Sequence, residues 1–500
     1  MKRFLLSGLL IALGTVPASA LTAAEYARRP KLVVVLVVDQ FRADYLSRFE
    51  KKFLPAGTAA KPGGFRFLMQ QGAWFPSAEY DVLQCMTCPG HAMIASGARP
   101  ALNGIGTNDW FDPVTGKLVY CAEDSEFGRS PRRLLTTTFG DELKNVHEKS
   151  RVMTVALKDR SAIMLGGQRA DLALWLDEAA WQWTSSKYYA EPPAWVGKFN
   201  EGLQKTPKLS FKVNTLPIAI AGTRMTLDAA KEILKREKLG RGPGTDVLGV
   251  SLSNHDMLGH QLGPNSPEME RLTLEEDRQI ADFLRVLSQE MKGLQDVVIA
   301  FTADHGIPPV SEVAKNFKID TGLFDFLPVL RKINERLDKR FGSAGDKPWV
   351  LRTRLFHFFL DQELIRKKKL ARAEVEDEVK QALLAEPGVL QVFTRSEYDR
   401  GLFPPGLIGQ QLKNSYIPGQ SGDVVLIAKP FFMNKTGNAV THMTGWSYDR
   451  TVPLILYGRA FKPGVYAGGL VIDLAPTLSF VLGTLPPAMN EGRVLKEALR

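Results

Sequence analysis

The chain has three cysteines in 500 residues, Cys85, Cys88 and Cys121. That is too few for a disulfide-stapled scaffold, and it leaves an odd thiol if an oxidising compartment bridges one pair. Beyond residue 20 no apolar run is long enough to cross a bilayer, so no membrane span is expected in the mature chain. There is no internal repeat and no long Ser/Gly linker, which argues against solenoids and strings of independent modules. A concentrated basic patch is also missing. The formal charge is +10, but the basic residues are dispersed. The densest run, "RKKKLARAEVEDEVKQALLAE" from Arg366, mixes both signs at helical spacing and reads as a solvated helix face. No nucleic-acid-binding module is expected, although a net positive field draws small anions toward the surface.

The N-terminus reads "MKRFLLSGLLIALGTVPASA". Lys2 and Arg3 precede an apolar stretch from Phe4 to Val16, and Ala18-Ser19-Ala20 supplies small residues for cleavage after Ala20. Residues 1–20 are therefore expected to be a signal peptide, and residues 21–500 a periplasmic or secreted protein. At 44% hydrophobic and 24% charged, the composition is that of a globular protein with ample core.

Three apolar runs are built alike. "KLVVVLVVDQ" ends at Asp39, "TDVLGVSLSNHDMLGH" leads to Asp256 and His260, and "DVVIAFTADHG" ends at Asp304, His305 and Gly306. Continuous apolar, β-branched runs predict strands buried on both faces. Amphipathic stretches between them, such as 225–239 and 274–291, predict helices. The alternation predicts an α/β fold with a mostly parallel central sheet flanked by helices. Its ligands are expected beyond the carboxyl ends of the strands. Regions of about 110–240 and 310–440 are richer in aromatic, proline and charged residues and are read as insertions on a single domain spanning 21–500.

Single histidines are ordinarily structural, so only grouped ones point to chemistry. Asp256 and His260 lie one helical turn apart, and Asp304 and His305 are adjacent after a strand. Asp39 adds a third acid, and His442 sits in a loop before another apolar strand. Three carboxylates and three imidazoles suffice for two transition-metal sites, and the nitrogen–oxygen mixture suits zinc better than magnesium or calcium. In "LQCMTCPGHAMIASG", Thr87 precedes Cys88-Pro89-Gly90 at an expected helix N-terminus, where amides and dipole favour a phosphate. Without metals nearby, Thr87 reads rather as a helix cap.

Asp39 after a Val-rich strand, "TCPGHAMIASG", "GTNDWFD", "LKDRSAIMLGG", "NHDMLGH", "TADHG" and "THMTGWSYDRTVPLILYG" together resemble the alkaline phosphatase superfamily, in its threonine-nucleophile (PafA-type) bacterial branch. The resemblance runs from about Lys31 to the C-terminal "DLAPTLSFVLGTLPPAMNEGRVLKEAL". It implies an alkaline phosphatase-like core and two zinc ions. One ion would be surrounded by Asp39, Thr87, Asp304 and His305, the other held by Asp256, His260 and His442. Thr87 would be the nucleophile. Asn108, Lys158 and Arg160 match positions that hold the phosphoryl oxygens. The implied reaction is hydrolysis of phosphate monoesters through a phosphothreonine.

Three other readings remain at this stage. Phosphodiesterases and nucleotide pyrophosphatases of the superfamily share the threonine and asparagine but lack the Lys-x-Arg element, here Lys158 and Arg160. A redox Cys-x-x-Cys protein would use Cys85 and Cys88 but leaves six metal-type ligands unexplained. A non-catalytic zinc- or phosphate-binding protein is the third. Because the segment after Asn108 must approach the nucleophile, the resemblance also leads to a Cys88–Cys121 bridge, with Cys85 free and buried.

Overall fold

The computed structural model describes residues 29–210 and 215–500, so the expected signal peptide lies outside the described residues. In chain order the strands that matter are β1 (Leu32–Val38), β2 (Ala73–Glu79), β3 (Val152–Ala156), β4 (Leu172–Asp177), β5 (Gln182–Thr184), β6 (Asp246–Leu252), β7 (Val297–Thr302), β8 (Val350–Arg354), β9 (His357–Leu360), β10 (Val389–Thr394), β11 (Val424–Ala428), β12 (Thr451–Tyr457) and β13 (Gly464–Val465). The helices that frame the site are α1 (Thr87–Ser96), α2 (Asp159–Gly166), α3 (Leu216–Arg236), α4 (Asn254–Leu262) and α5 (Pro267–Glu290).

Nine strands form one sheet in the order β5-β4-β3-β6-β1-β7-β12-β2-β13. β4, β3, β6, β1 and β7 are mutually parallel neighbours. β12 runs against both β7 and β2, so β2 shares the direction of the parallel block. The α/β class with a mostly parallel central sheet flanked by helices, expected from the strand–helix alternation, is the architecture found. β1 is LVVVLVV and buried at every residue, because it lies in mid-sheet with both faces covered.

Register decides where the chemistry goes. Val38 pairs with Leu252, Val37 with Thr302, and Ser251 with Ala156, so β1, β6, β7 and β3 end at one level. The Asp39 amide carries the ladder one step further by donating to the Leu252 carbonyl at 3.0 Å. β12, being antiparallel, starts at that edge, which brings the preceding loop with His442 to it. β2 ends there too and feeds α1.

Residues 152–184, inside the first stretch read as an insertion, in fact supply β3, β4 and β5. The five-residue β3, VMTVA, is too short to stand out among aromatic and charged neighbours. Between β7 and β12, strands β8–β11 form a separate antiparallel sheet in the order β8-β9-β11-β10. It packs on its own apolar cluster around Phe324, Trp349, Phe356, Phe358 and Phe432. The ion pair between Arg354 and Asp109 and the bonds from Gln420 to the Gly104 carbonyl (3.0 Å) and from Asn414 to the Asp81 carbonyl (2.7 Å) join it to the nine-stranded core. Cys88 and Cys121 are disulfide-bonded and Cys85 is free and buried, as expected.

Candidate metal centre and active site

Two groups of possible metal ligands meet at the carboxyl edge of the sheet: Asp39, Asp304 and His305 in one, and Asp256, His260 and His442 in the other. Within each group the ligand atoms lie within 4.8 Å of one another. The origin is local. Asp39 is the first residue past β1, Asp304 and His305 follow β7, and one turn of α4 stacks His260 above Asp256. His442 arrives from the loop before β12, and its ring lies 3.7 Å from that of His305, so the two groups share a wall.

Each of these histidines commits one ring nitrogen. His260 Nδ1–H donates to the Val440 carbonyl at 2.9 Å, His442 Nδ1–H to the Cys85 carbonyl at 2.7 Å, and His305 Nδ1–H to the Gly306 carbonyl at 3.0 Å. With Nδ1–H committed to a carbonyl, Nε2 is the nitrogen that faces the carboxylates, the orientation of a metal-ligating imidazole with a backbone partner. His305 Nε2 is 3.3 Å from Asp39 Oδ1, His260 Nε2 is 3.2 Å from Asp256 Oδ1, and His442 Nε2 is 3.6 Å from the same oxygen.

Asp39 Oδ1, Asp304 Oδ2 and His305 Nε2 are buried without a hydrogen-bond partner. Asp304 Oδ2 is faced by His91 Nδ1 at 3.2 Å, but that nitrogen's proton points to the Thr87 carbonyl at 2.8 Å. Buried acceptors cost free energy when left unsatisfied, and three converging on one point fit a cation.

The charges are strongly coupled. Burial pushes the Asp39 carboxyl up, and Asp304 beside it pushes further. Burial also raises Asp256, but Lys158 and His260 outweigh it and hold the carboxyl well below the usual range. Burial lowers His305, yet Asp304 and Asp39 carry it up to about 9. His442 is pushed down to about 3 by burial and by His305. A mixed oxygen and nitrogen donor set of this kind suits a transition metal such as zinc.

Thr87 opens α1 and is nearly buried, at 1% exposure. Asn108 Oδ1 accepts from the Cys88 amide at 2.7 Å, which sets the Asn108 side chain beside the helix that Thr87 opens. Lys158 caps α2, and its Nζ reaches Asp39 Oδ2 at 2.5 Å and Asp256 Oδ2 at 2.6 Å, bridging the two clusters. Arg160 lies in the first turn of α2, and its Nε has no partner. All ten residues singled out in the sequence therefore lie around one edge of one sheet.

Two further residues at this edge were not singled out in the sequence. Gln40 adopts φ 68°, unusual for a residue with a side chain, and from there its amide N–H reaches Asp304 Oδ1 at 3.0 Å and its Nε2 reaches Asp256 Oδ1 at 2.6 Å. His91 was one histidine among seven. Its spacing of four from Thr87 on one helix was the available clue.

A family model described as type I phosphodiesterase / nucleotide pyrophosphatase matches residues 33–447. The chain belongs to that family, within the alkaline phosphatase superfamily. It is 30% identical to alkaline phosphatase PafA of Elizabethkingia meningoseptica over 100% of this chain and 99% of that one. It is also 30% identical to a protein of Myroides odoratus named a calcium-transporting ATPase, over 96% of each. Among solved structures, wild-type PafA superposes with a TM-score of 0.85 at 28% identity, covering 95% of this chain and 99% of that chain.

Proposed function

We propose that this enzyme hydrolyses phosphate monoesters at a centre of two zinc ions, through a phosphothreonine on Thr87. Phosphoester hydrolysis is the activity of its family and of its phosphatase relatives. The observation that carries the finer reading is the pair of Asp/His clusters, with their Nε2 atoms facing carboxylate oxygens, packed against the helix that Thr87 opens: His91 of that helix faces Asp304 at 3.2 Å and Gly90 abuts it. Asp39, Asp304 and His305 would hold one ion together with Thr87, and Asp256, His260 and His442 the other. When bound, the ions would favour the ionised hydroxyl and offset charge on the departing oxygen.

The chain's own residues account for the rest. Thr87 Oγ attacks phosphorus as the bond to the leaving oxygen breaks. Water then breaks the bond between phosphorus and Oγ, releasing inorganic phosphate and restoring the hydroxyl. Asn108, Lys158 and Arg160 hold the non-bridging oxygens; a monoester dianion presents more charge to them than a diester, so they favour monoesters. Positioning and charge neutralisation supply most of the acceleration in such transfers. The terminal phosphoryl group of a nucleoside triphosphate carries similar charge, which keeps the name of the Myroides relative compatible with the same centre.

A PafA variant of solved structure replaces a threonine, an asparagine, a lysine and an arginine; the first two are spaced as Thr87 and Asn108 are, the last two as Lys158 and Arg160 are. This supports the residue assignments. We treat 21–500 as one catalytic domain, with the β8–β11 sheet as an insertion, and we assign it to the periplasm or the medium. The disulfide supports that assignment, and no helix among the described residues is long and apolar enough to cross a membrane.

The test is kcat/KM for p-nitrophenyl phosphate against bis-p-nitrophenyl phosphate on zinc-loaded protein. A ratio well above one that collapses in Lys158→Ala or Arg160→Ala is expected. A ratio below one would make the enzyme a phosphodiesterase.

A further inference from the structure

Arg160 needs an orienting partner that does not consume its charge. Its neighbour Asp159 cannot serve directly, because both carboxylate oxygens are engaged. Asp159 Oδ1 accepts from the Arg160 backbone amide at 2.7 Å and from the Tyr120 hydroxyl at 2.5 Å, and Oδ2 accepts from Arg129 Nε at 2.6 Å. The Tyr120 hydroxyl and the Arg160 amide thus meet on one carboxylate oxygen, which brings the Tyr120 oxygen beside Arg160, whose guanidinium it favours electrostatically. Arg129 closes the cluster by lying over the Tyr120 ring, 5.0 Å from its centroid.

We propose that Tyr120 is a positioning residue for Arg160 and that, through Arg160, it sets the preference of the site for monoesters over diesters. The inference rests on the phosphoryl-holding role proposed for Arg160. The chemistry favours a phenol over a carboxylate in this place. A carboxylate bound to the guanidinium would cancel the charge that a phosphoryl dianion needs, whereas a neutral oxygen fixes the planar fork and leaves the charge available. Burial, only partly offset by Arg160, holds the Tyr120 hydroxyl up at about 12, so it remains a donor through the alkaline range.

Backbone placement makes Tyr120 more than a surface contact. It ends a hairpin of strands Asp109–Asp112 and Lys117–Tyr120, with Asn108 directly before one end and Cys121 directly after the other. The Cys121 amide donates to the Asn108 carbonyl at 3.0 Å, and Cys121 is bonded to Cys88, next to Thr87. One hairpin therefore fixes Asn108 and the partner of Arg160 against the helix that carries Thr87.

The experiment compares wild type, Tyr120→Phe, Arg160→Ala and the double variant, each zinc-loaded and matched for melting temperature, with p-nitrophenyl phosphate and bis-p-nitrophenyl phosphate. Tyr120→Phe is expected to lower monoester kcat/KM about tenfold, the scale of one hydrogen bond to a charged group, with little change for the diester. In the Arg160→Ala background it should cost almost nothing more. Equal losses for both esters, or a full additional loss in the double variant, would overturn the inference. If Arg160→Ala itself leaves the monoester-to-diester ratio unchanged, the underlying role of Arg160 is wrong, and Tyr120 loses its basis with it.

Discussion

Adding one methyl group at Gly90 should both destabilise the protein and slow it, although local helix chemistry argues the reverse. Gly90 lies in α1, three residues past Thr87, and its backbone is accessible to L residues. In an open helix Gly→Ala stabilises by up to about 1 kcal/mol. Here an added Cβ would stand 2.6 Å from the Asp304 carbonyl oxygen and 2.7 Å from its Cβ, where ordinary contact begins at 3.4 Å. The obstruction is mostly backbone, so α1 and the segment carrying Asp304 must separate by about 0.8 Å. α1 cannot rotate freely to relieve it, because Cys88 is tied to Cys121 and His91 Nε2 is 2.8 Å from the Ser251 hydroxyl. Overpacking of this kind costs roughly 1–3 kcal/mol. On the proposed roles of Thr87 and Asp304, moving one by nearly an ångström relative to the other costs on the order of 10- to 100-fold in kcat/KM. Denaturant unfolding and monoester kinetics of zinc-loaded Gly90→Ala measure both effects. A variant as stable and as active as wild type, or more so, would refute the packing argument.

Cys121→Ser opens a loop of 33 residues and should lower unfolding free energy by about 4 kcal/mol on the chain-entropy scale, read from the urea midpoint under non-reducing conditions. A destabilisation below roughly 1 kcal/mol would show that the loop is already ordered in the unfolded chain. Burial holds His357 down at about 4, against 6.5 unperturbed. Its folded pKa is depressed, so its contribution, roughly 3 kcal/mol, is fully present above pH 6.5 and lost as pH falls toward 4. His357→Asn can retain an acceptor for the Gly422 amide and should flatten melting temperature over that range; parallel curves for the two proteins would contradict the assignment. Chelation should remove activity and lower the melting temperature together, with zinc restoring both and calcium neither, as a nitrogen-containing donor set requires. Recovery with calcium would mean that the ligands are misread.

The catalytic edge was legible because strands buried on both faces announce themselves as unbroken apolar runs, and the acids stand immediately past them. Asp39 and Asp304 needed no more than that, and Asp256, four residues past its strand, is marked by the one-turn spacing to His260 on α4. His442 was less exposed to such reasoning, since it is placed by a loop and by the reversed direction of β12. β3 and β4 were missed as sheet strands because five or six residues among aromatic neighbours carry little period. Gln40 reaches Asp304 and Asp256 only from a left-handed backbone, which a glutamine does not advertise. The tie from Tyr120 to Asp159 spans 39 residues, and nothing in either neighbourhood announces it.

The central claim is that phosphate passes through Thr87. Zinc-loaded enzyme mixed with a labelled monoester, quenched in acid within one turnover and digested for mass spectrometry, should carry phosphate on the Thr87 peptide, and Thr87→Ala should carry none. Phosphate on another side chain, or a fast product burst with no covalent phosphate, would contradict the account.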